Sequence, residues 1–330
     1  MSEFTAIADS VVDPRRQSAA AWAAASLGVD SVELEVVSGD ASFRRYFRIH
    51  TGDGSLILMD APPDKEDSAP FVDIAGRLRS AGLNAPEIRQ FDLQRGFGLL
   101  SDLGDTLYRE LITEESIDDL MPGLFDILAG MASGVDMEGL PDYNAEMLQT
   151  ELDLFTHWYL ARHKQRPLNG AEKTCWTGLC EDLIASARSQ PQVFVHRDFH
   201  SCNLLQTMNG PGIIDFQDAV RGPLSYDFVS LAWDRYIAWP RQRLEQWMSK
   251  THALLDTACS LQDWTRRCDL MGLQRNLKIV GIFARLHYRD GKDGYLQMIP
   301  RFYQYLLDVL PLYPEFSAFQ KLLEQAECAP

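Results

Sequence analysis

Hydrophobic and polar residues alternate in short segments over roughly the first hundred positions, and a period of two predicts β-strands. The alternating segments are residues 31–37, 43–50, 55–59, 86–93 and 98–100. Two helices are predicted among them. An alanine-rich run over residues 15–27 follows Asp13, a good N-cap residue, and stops at Gly28. Residues 71–81 carry apolar side chains at helical spacing.

Beyond about residue 113 the apolar spacing becomes mostly helical. Helices are predicted at residues 114–131, 145–163, 171–189, 228–239, 241–260, 264–287 and 294–310. A strand-rich segment followed by a longer helical segment indicates an α+β protein. We expect a small N-terminal lobe with an antiparallel β-sheet over residues 1–103, and a larger, mostly helical C-terminal lobe over residues 104–330.

Residues 193–218 interrupt the helical pattern with two short apolar runs, each followed by polar residues. The first run leads into His196-Arg197-Asp198, and Asn203 completes an H-x-D-x-x-x-x-N pattern. After a glycine- and proline-containing turn, the second run ends on Asp215. The order of strand, loop, strand, turn and strand therefore places polar side chains at strand ends.

These residue types suit phosphoryl transfer from ATP, which requires bound metal ions and a positioned nucleophile. Asn203 and Asp215 supply the oxygen ligands that Mg²⁺ prefers, and Asp198 can accept a proton from an attacking hydroxyl. His196 is expected to brace the loop. The combined pattern matches the catalytic and metal-binding loops of kinases and predicts a kinase-like fold of two lobes. The alternative, a metal site built on His196 and His200, lacks a third ligand at zinc-site spacing.

The loop between the first two strands is small and polar, as in loops that cover ATP phosphates with backbone amides. Its candidate nucleotide-binding residues are Gly39, Asp40 and Ser42. Asp102 and Leu103 follow the last predicted strand of the N-terminal lobe, where backbone groups can meet adenine. ATP and Mg²⁺ are the expected cofactors.

The net charge of −16 excludes a general nucleic-acid binder and argues against charge-driven binding to anionic membranes. The N-terminus lacks a signal-peptide pattern, and no apolar run is long enough to span a bilayer. The six cysteines form no C-x-x-C pair, which is typical of reduced thiols. These features predict a cytoplasmic protein with a small-molecule substrate, and nothing in them implies an obligate protein partner.

Together with H-x-D-x-x-x-x-N and I-D-F-Q-D, the G-P-x-x-Y-D motif at residues 222–227 resembles the aminoglycoside phosphotransferase and choline kinase superfamily. Five longer segments resemble one subfamily. They are D-A-S-F-R-R-Y-F-R from Asp40, L-M-D-A-P-P from Leu58, L-L-S-D-L-G from Leu99, F-Q-D-A-V-R-G-P from Phe216 and G-I-F-A-R-L-H-Y-R-D-G-K from Gly281. That subfamily comprises bacterial anomeric kinases that phosphorylate N-acetylmuramate and N-acetylglucosamine at C1 during cell-wall recycling.

The resemblance implies that Asp198 is the base, that Asn203 and Asp215 hold the metal, and that Asp227 orders the catalytic loop. One position departs from the superfamily, because the lysine usual in the third strand falls at Met59. Arg44 and Arg48, on one face of the second strand, are the candidate replacements.

The carboxylate of N-acetylmuramate requires a local cation, and the candidate residues are Arg197, Arg221 and Arg285. Two other functions remain open at this point. The acidic chain also suits a kinase for a cationic amino-sugar or amino-alcohol, and the loss of the lysine at Met59 suits a catalytically weak nucleotide-binding scaffold.

Overall fold

The computed structural model describes residues 13–39 and 43–327 and divides them into two compact units. The first unit consists of residues up to Arg79 together with Asn84–Gly104, and the second of Ser80–Leu83 together with residues from Asp105 onward. The predicted α+β class is confirmed, because one antiparallel sheet lies in the first unit and most helices lie in the second.

The first unit is built on a five-stranded antiparallel sheet in the order β1-β2-β3-β5-β4. Its strands are β1 (Glu35–Gly39), β2 (Arg45–Thr51), β3 (Gly54–Asp60), β4 (Ile88–Asp92) and β5 (Phe97–Ser101). All five predicted strands are therefore present, with shifted ends. Each neighbouring pair except β3 and β5 is joined by a short connection or a turn, while helix α2 (Ala69–Ser80) lies in the segment after β3.

Helix α1 (Pro14–Leu27) begins and ends as its sequence predicts. The Asp13 carboxylate accepts hydrogen bonds from the backbone amides of Arg15 and Arg16, both at 3.0 Å, and Gly28 closes the helix with a φ of 69°. The apolar side of α1 packs on the sheet in one cluster, formed by Ala19, Trp22, Ala23, Leu34, Phe47, Ile49, Leu58, Phe97 and Leu99. The residues of β2 and β3 that point to one face of the sheet are therefore buried against α1.

The second unit contains nine α-helices among the described residues. They are α3 (Tyr108–Leu111), α4 (Ile117–Gly134), α5 (Ala145–Leu154), α6 (Gly170–Arg188), α7 (Tyr226–Ala232), α8 (Arg241–Leu254), α9 (Leu261–Tyr288), α10 (Ile299–Val309) and α11 (Ser317–Glu327). The 28-residue α9 runs through the middle of this unit and contacts α5, α6, α7, α8 and α10.

Several predicted helices are wrong in part, and two α-helices were not predicted. The helix expected over residues 145–163 is α-helical only to Leu154 and continues as a π-helix over Phe155–His163. The helices expected over residues 228–239 and 241–260 end at Ala232 and Leu254, and α3 and α11 have no counterpart among the sequence predictions. A segment of 9 residues is too short for apolar spacing to separate the i→i+4 pattern of an α-helix from the i→i+5 pattern of a π-helix.

Two small antiparallel ribbons lie between α6 and α7. Strand β6 (Gln192–Val195) pairs with β9 (Val220–Pro223), and β7 (Leu204–Thr207) pairs with β8 (Gly210–Ile213). The loops that join them contain the polar residues that interrupt the helical pattern. Among the described residues, no helix is both long enough and apolar enough to cross a lipid bilayer.

Gly281 on α9 allows the closest approach of that helix to the junction of α5 and the π-helix. A Cβ atom at this position would lie 2.4 Å from the Leu154 carbonyl carbon and 2.5 Å from the Phe155 amide nitrogen. We expect Gly281→Ala to lower the free energy of unfolding by about 1–3 kcal/mol, because rigid backbone must move. Urea denaturation measures the change.

Gly178 in α6 provides the matched control, since a Cβ atom there would meet nothing within 4 Å. Gly178→Ala should leave the stability unchanged or raise it by about 0.5–1 kcal/mol, because it only removes backbone freedom from a helix. Equal effects of the two substitutions would contradict the close approach at Gly281.

Candidate active site

The catalytic loop follows β6 and is fixed by the carboxylate of Asp227 at the start of α7. Asp227 Oδ2 accepts a hydrogen bond from the His196 amide at 2.7 Å, and Oδ1 accepts one from the Arg197 amide at 3.0 Å. Arg197 has a positive φ of 75°, which is strained for a residue with a side chain. The two bonds therefore hold the loop in a conformation that its own backbone disfavours.

His196 is fully buried and links the catalytic loop to the segment that carries Asp215. Its Nε2 lies 3.0 Å from the carbonyl oxygen of Ile214, and its Nδ1 lies 3.3 Å from the amide nitrogen of Asp198. Burial lowers the pKa of His196 to about 4, so the ring is neutral. Nε2 then donates to the carbonyl oxygen, and Nδ1 accepts from the amide.

Asp198, Asn203 and Asp215 come together in this unit. The Asn203 side-chain nitrogen donates to the Asp198 carbonyl oxygen at 2.9 Å and lies 3.3 Å from Asp215 Oδ2. Asp215 has a positive φ of 63°, the second such residue in the site. Because both acceptors face the amide nitrogen, the Asn203 amide oxygen is the atom left to meet a cation.

The donor set around Asp215 fits Mg²⁺. Asp215 Oδ1 accepts from Gln217 Nε2 at 2.9 Å, while Gln217 Oε1 is buried with no hydrogen-bond partner in the described part of the chain. Oxygen atoms of one carboxylate and one or two amides suit a cation that keeps water and phosphate oxygens in its shell. Within residues 13–39 and 43–327 no group of three or more His, Cys, Asp or Glu side chains is placed to hold a metal, so a zinc-type site finds no support there.

The carboxyl group of Asp198 remains ionised at neutral pH. Burial opposes its charge, but Lys278 and the weaker contributions of His200, His196 and Arg275 outweigh burial and hold the pKa of Asp198 below its usual range. Asp198 is therefore a hydrogen-bond acceptor ready for a hydroxyl group.

A buried ion cluster centred on Glu151 of α5 supports the same loop. Glu151 accepts from Arg197 Nη2 at 2.7 Å and from Lys278 Nζ at 2.9 Å. The Tyr143 hydroxyl and Gln274 Nε2 also donate to it. Burial opposes the charge of Glu151, but Lys278 and Arg197 hold its pKa below the usual range. The sequence prediction missed Glu151 and Lys278, which lie on predicted helices and share no short motif with the catalytic loop.

Burial makes the charged form of the Asp227 carboxyl group unfavourable. Burial raises the pKa of Asp227 to about 7, although the two backbone amides that it accepts from act in the opposite direction. The two oxygens of the carboxyl group let it accept from both adjacent amides at once.

The structure places the predicted nucleotide-binding residues differently from one another. Gly39 is the last residue of β1, and Asp40 and Ser42 lie outside the described residues. Arg44 is buried and pairs with Glu66 at 3.1 Å, just before α2. Leu103 is half-buried in the segment after β5. The role of each in nucleotide binding stays a prediction.

Arg48 and Asp102 bind each other. Arg48 Nε and Nη2 lie 2.5 Å and 3.1 Å from the two oxygens of Asp102, which also accepts from Ser55 and from the Gly104 amide. Burial alone would raise the pKa of Asp102, but these donors lower it to about 2. Arg48 and Arg44 thus each have a carboxylate partner within their own unit, and both stay candidates to replace the lysine that is missing at Met59, which is fully buried.

The three arginines proposed for a substrate carboxylate do not form one site. Arg197 is bound to Glu151, and Arg221 is an exposed residue paired with Asp142 at 2.7 Å. Arg285 is half-buried on α9. The structure instead places Arg275 and Lys278 of α9 beside Asp198, in the lining of a cavity of about 150 Å³. Their spacing of three residues on one helix face was the available sequence signal.

The chain is similar to known proteins over most of its length. The phosphotransferase enzyme family matches residues 33–267. The N-acetylmuramate/N-acetylglucosamine kinase of Pseudomonas aeruginosa is 44% identical over 301 residues, which cover 89% of this chain and 89% of that protein.

Solved structures share the fold at much lower identity. The choline kinase LicA from Streptococcus pneumoniae aligns over 89% of this chain and 99% of its own, with a TM-score of 0.63 and 14% identity. A thermostable mutant of aminoglycoside phosphotransferase APH(4)-Ia, in a ternary complex with ADP and hygromycin B, aligns over 88% of this chain and 98% of its own, with a TM-score of 0.56 and 15% identity. The match to the family, the relative at 44% identity and the assembled loops together show that this chain belongs to the phosphotransferase enzyme family.

Proposed function

We propose that the protein transfers the γ-phosphoryl group of ATP to the anomeric C1 hydroxyl of N-acetylmuramate and of N-acetylglucosamine. The observation that carries the proposal is the 44% identity, over 89% of both chains, to a relative named for these two substrates. The meeting of Asp198, Asn203 and Asp215 supports it, because phosphoryl transfer needs a base and metal ligands in one place. Such a product suits cell-wall recycling, the role that the sequence resemblance implies.

Asp198 would accept a hydrogen bond from the C1 hydroxyl, orient its oxygen toward the γ-phosphorus and take its proton as the bond to phosphorus forms. The low pKa of Asp198 keeps the carboxylate ready to accept, so its contribution is mainly orientation. His196 would keep the loop in register with Asp215 through its two ring nitrogens.

Asn203 Oδ1 and Asp215 would hold Mg²⁺, which neutralises charge on the phosphate oxygens when it is bound. On the nucleotide side, backbone amides of Gly39, Asp40 and Ser42 would contact the phosphates, and backbone groups of Asp102 and Leu103 would contact adenine. The buried Asp102 carboxylate would act by fixing that segment, since Arg48, Ser55 and Gly104 already use its oxygens.

A cationic substrate is less well supported than a neutral or anionic sugar. The cavity beside Asp198 is lined by three cationic side chains, Arg235, Arg275 and Lys278, against the two carboxylates of Asp198 and Asp234, so the excess of positive charge disfavours an ammonium group. A nucleotide-binding scaffold without turnover is also disfavoured, because a binder has no need of the carboxylate of Asp198.

We expect Asp198→Asn to lower kcat about 100- to 10,000-fold, because the variant loses the acceptor that orients the hydroxyl and takes its proton. Product formation from N-acetylglucosamine and from N-acetylmuramate with ATP and Mg²⁺ is followed by ³¹P NMR, which distinguishes a C1 phosphate from an O6 phosphate by its couplings.

Asp218→Asn is the matched control, because Asp218 is an exposed carboxylate close to the same metal-binding loop. It should retain nearly full turnover. A product phosphorylated only at O6, or no product from either sugar with the unsubstituted enzyme, would refute the anomeric kinase.

Arg44→Ala should raise the KM for ATP or lower kcat by about tenfold or more, since a buried arginine that contacts phosphate contributes a charge-assisted hydrogen bond. Arg44→Lys should restore part of the loss, because it returns the charge. Steady-state kinetics at varied ATP measures both variants.

Two further variants separate binding from structure. Glu66→Gln removes the ion-pair partner of Arg44 while keeping the arginine, and Arg188→Ala removes an exposed arginine at the end of α6. If Arg44→Ala changes ATP kinetics no more than Arg188→Ala does, and only lowers the melting temperature as Glu66→Gln does, Arg44 has a structural role alone.

A further inference from the structure

Asp198 lines a cavity of about 150 Å³ that lies within the second, mostly helical unit. One wall is formed by α9, whose residues Arg275, Lys278, Ile279 and Ile282 recur at the spacing of one helix face. The first turns of α7 form another wall and contribute Ser230. Pockets for whole drug-sized ligands are usually about 300 Å³ or larger, so this cavity fits one substituent of a substrate held at Asp198.

Three side chains of this lining, those of His200, Ser230 and Arg275, each have a buried polar atom without a hydrogen-bond partner among the described residues. Arg275 is 6% exposed and Ser230 is 0% exposed. Arg275 Nη1 and Ser230 Oγ each have no hydrogen-bond partner among the residues that the structure describes. Leaving a buried polar atom unpaired is destabilising, and more so for a charged group, so native proteins rarely keep several such atoms in one lining. A ligand with an acceptor and a donor would satisfy Arg275 and Ser230.

Apart from Asp198, the other charged groups around the cavity already have partners. Lys278 Nζ lies 2.9 Å from Glu151 Oε1 and 3.1 Å from the Tyr226 hydroxyl. Asp234 Oδ2 accepts from Ser201 Oγ at 2.6 Å. The Arg235 guanidinium lies over the ring of Tyr236, 5.4 Å from its centroid. Arg275 is thus left to bind a ligand.

The remainder of the lining is apolar and includes Trp233, Ile279, Ile282, Phe283 and Phe302. A substituent that fits both parts needs a hydrogen-bonding end and a small hydrocarbon end. It must also be attached beside the hydroxyl that Asp198 orients, because Asp198 lines the same cavity.

We propose that this cavity is the recognition site for the 2-acetamido group of the sugar, with Arg275 Nη1 donating to the carbonyl oxygen and Ser230 Oγ accepting from the amide N–H. The methyl group then packs against Ile279, Ile282 and Phe283. The inference rests on the proposed function, since the acetamido group at C2 is next to the C1 hydroxyl and is common to both sugars.

With this assignment, the protein selects among sugars by whether the substituent at C2 forms hydrogen bonds with both Arg275 and Ser230. Glucose has a hydroxyl at C2 that cannot reach both Arg275 and Ser230 and leaves the apolar wall uncovered. Glucosamine carries an ammonium group there, which the Arg275 charge repels. The expected order of kcat/KM is N-acetylglucosamine, then glucose, then glucosamine.

The test compares N-acetylglucosamine, N-acetylmuramate and glucose as acceptors for Ser230→Ala and Arg275→Met. Ser230→Ala should lower kcat/KM for both acetamido sugars about 3- to 10-fold, the effect of one neutral hydrogen bond, with little change for glucose. Arg275→Met should lower both about 10- to 100-fold, the effect of a hydrogen bond to a charged group, and again affect glucose less. Calorimetric binding of N-acetylglucosamine and glucose should show the same loss of preference.

Ser225→Ala is the control, because Ser225 is also 0% exposed, its Oγ is also buried without a partner, and it lies outside the cavity lining. Ser225→Ala should not alter the preference for acetamido sugars. Ser230→Ala should keep or raise the melting temperature, since it removes an unpaired buried hydroxyl, so lost selectivity cannot be ascribed to unfolding.

The remaining outcomes separate the two proposals. Equal losses for all three sugars, or no preference for the acetamido group in turnover and binding by the unsubstituted protein, would overturn the acetamido site. A loss limited to N-acetylmuramate would overturn it as well and would assign Arg275 to the lactyl carboxylate. A phosphate found only at O3, the other hydroxyl next to C2, with the selectivity changes intact, would contradict the anomeric kinase and leave the acetamido site supported. A phosphate found only at O4 or O6 would overturn both.

Discussion

The two hydrogen bonds that the amides of His196 and Arg197 donate to the Asp227 carboxylate are the contact on which the helical unit's site depends. Arg197 is held at a positive φ and Asp215 at another, so the two loops that carry the oxygen ligands are both strained. Neither conformation would persist without neighbours that over-determine it. Asp227 supplies this from one side, and the buried ring of His196 supplies it from the other by joining the loop to Ile214.

The second constraint is that charged groups are buried and need partners of opposite charge. Glu151 is the shared partner of Arg197 and Lys278, so the cluster is one carboxylate with two cations. Removing one member would leave buried charge uncompensated, which is far costlier than replacing the whole cluster. The excess positive charge next to Asp198 keeps that carboxylate ionised. A chain with a net charge of −16 thus places three cationic side chains in the cavity beside Asp198, because overall charge does not fix the local sign.

Buried arginines of the two units differ in whether a carboxylate partners them. In the sheet unit, Arg48 is bound by both oxygens of Asp102, and Arg44 lies against Glu66. In the helical unit, Arg275 has no carboxylate partner among the described residues. A guanidinium is more weakly hydrated than an ammonium group. It therefore tolerates such a buried position when a ligand completes its hydrogen bonds. That difference is why Arg48 is interpreted as structural and Arg275 as a recognition group.

The sequence by itself determined the α+β class, the five strands of the sheet, the capped helix α1 and the grouping of Asp198, Asn203 and Asp215. Each of these follows from neighbours within a few residues: alternation, a cap, or a strand followed at once by polar side chains. Tertiary structure alone decided the bonding of Glu151 to Gln274 across 123 residues, the pairing of Arg48 with Asp102 across 54, and the cavity that Arg275 and Ser230 share. It also decided where α5 gives way to a π-helix and where α7 ends. Spacing along a chain records which side chains share a face, but the partner across that face is chosen by packing, burial and charge in the folded protein.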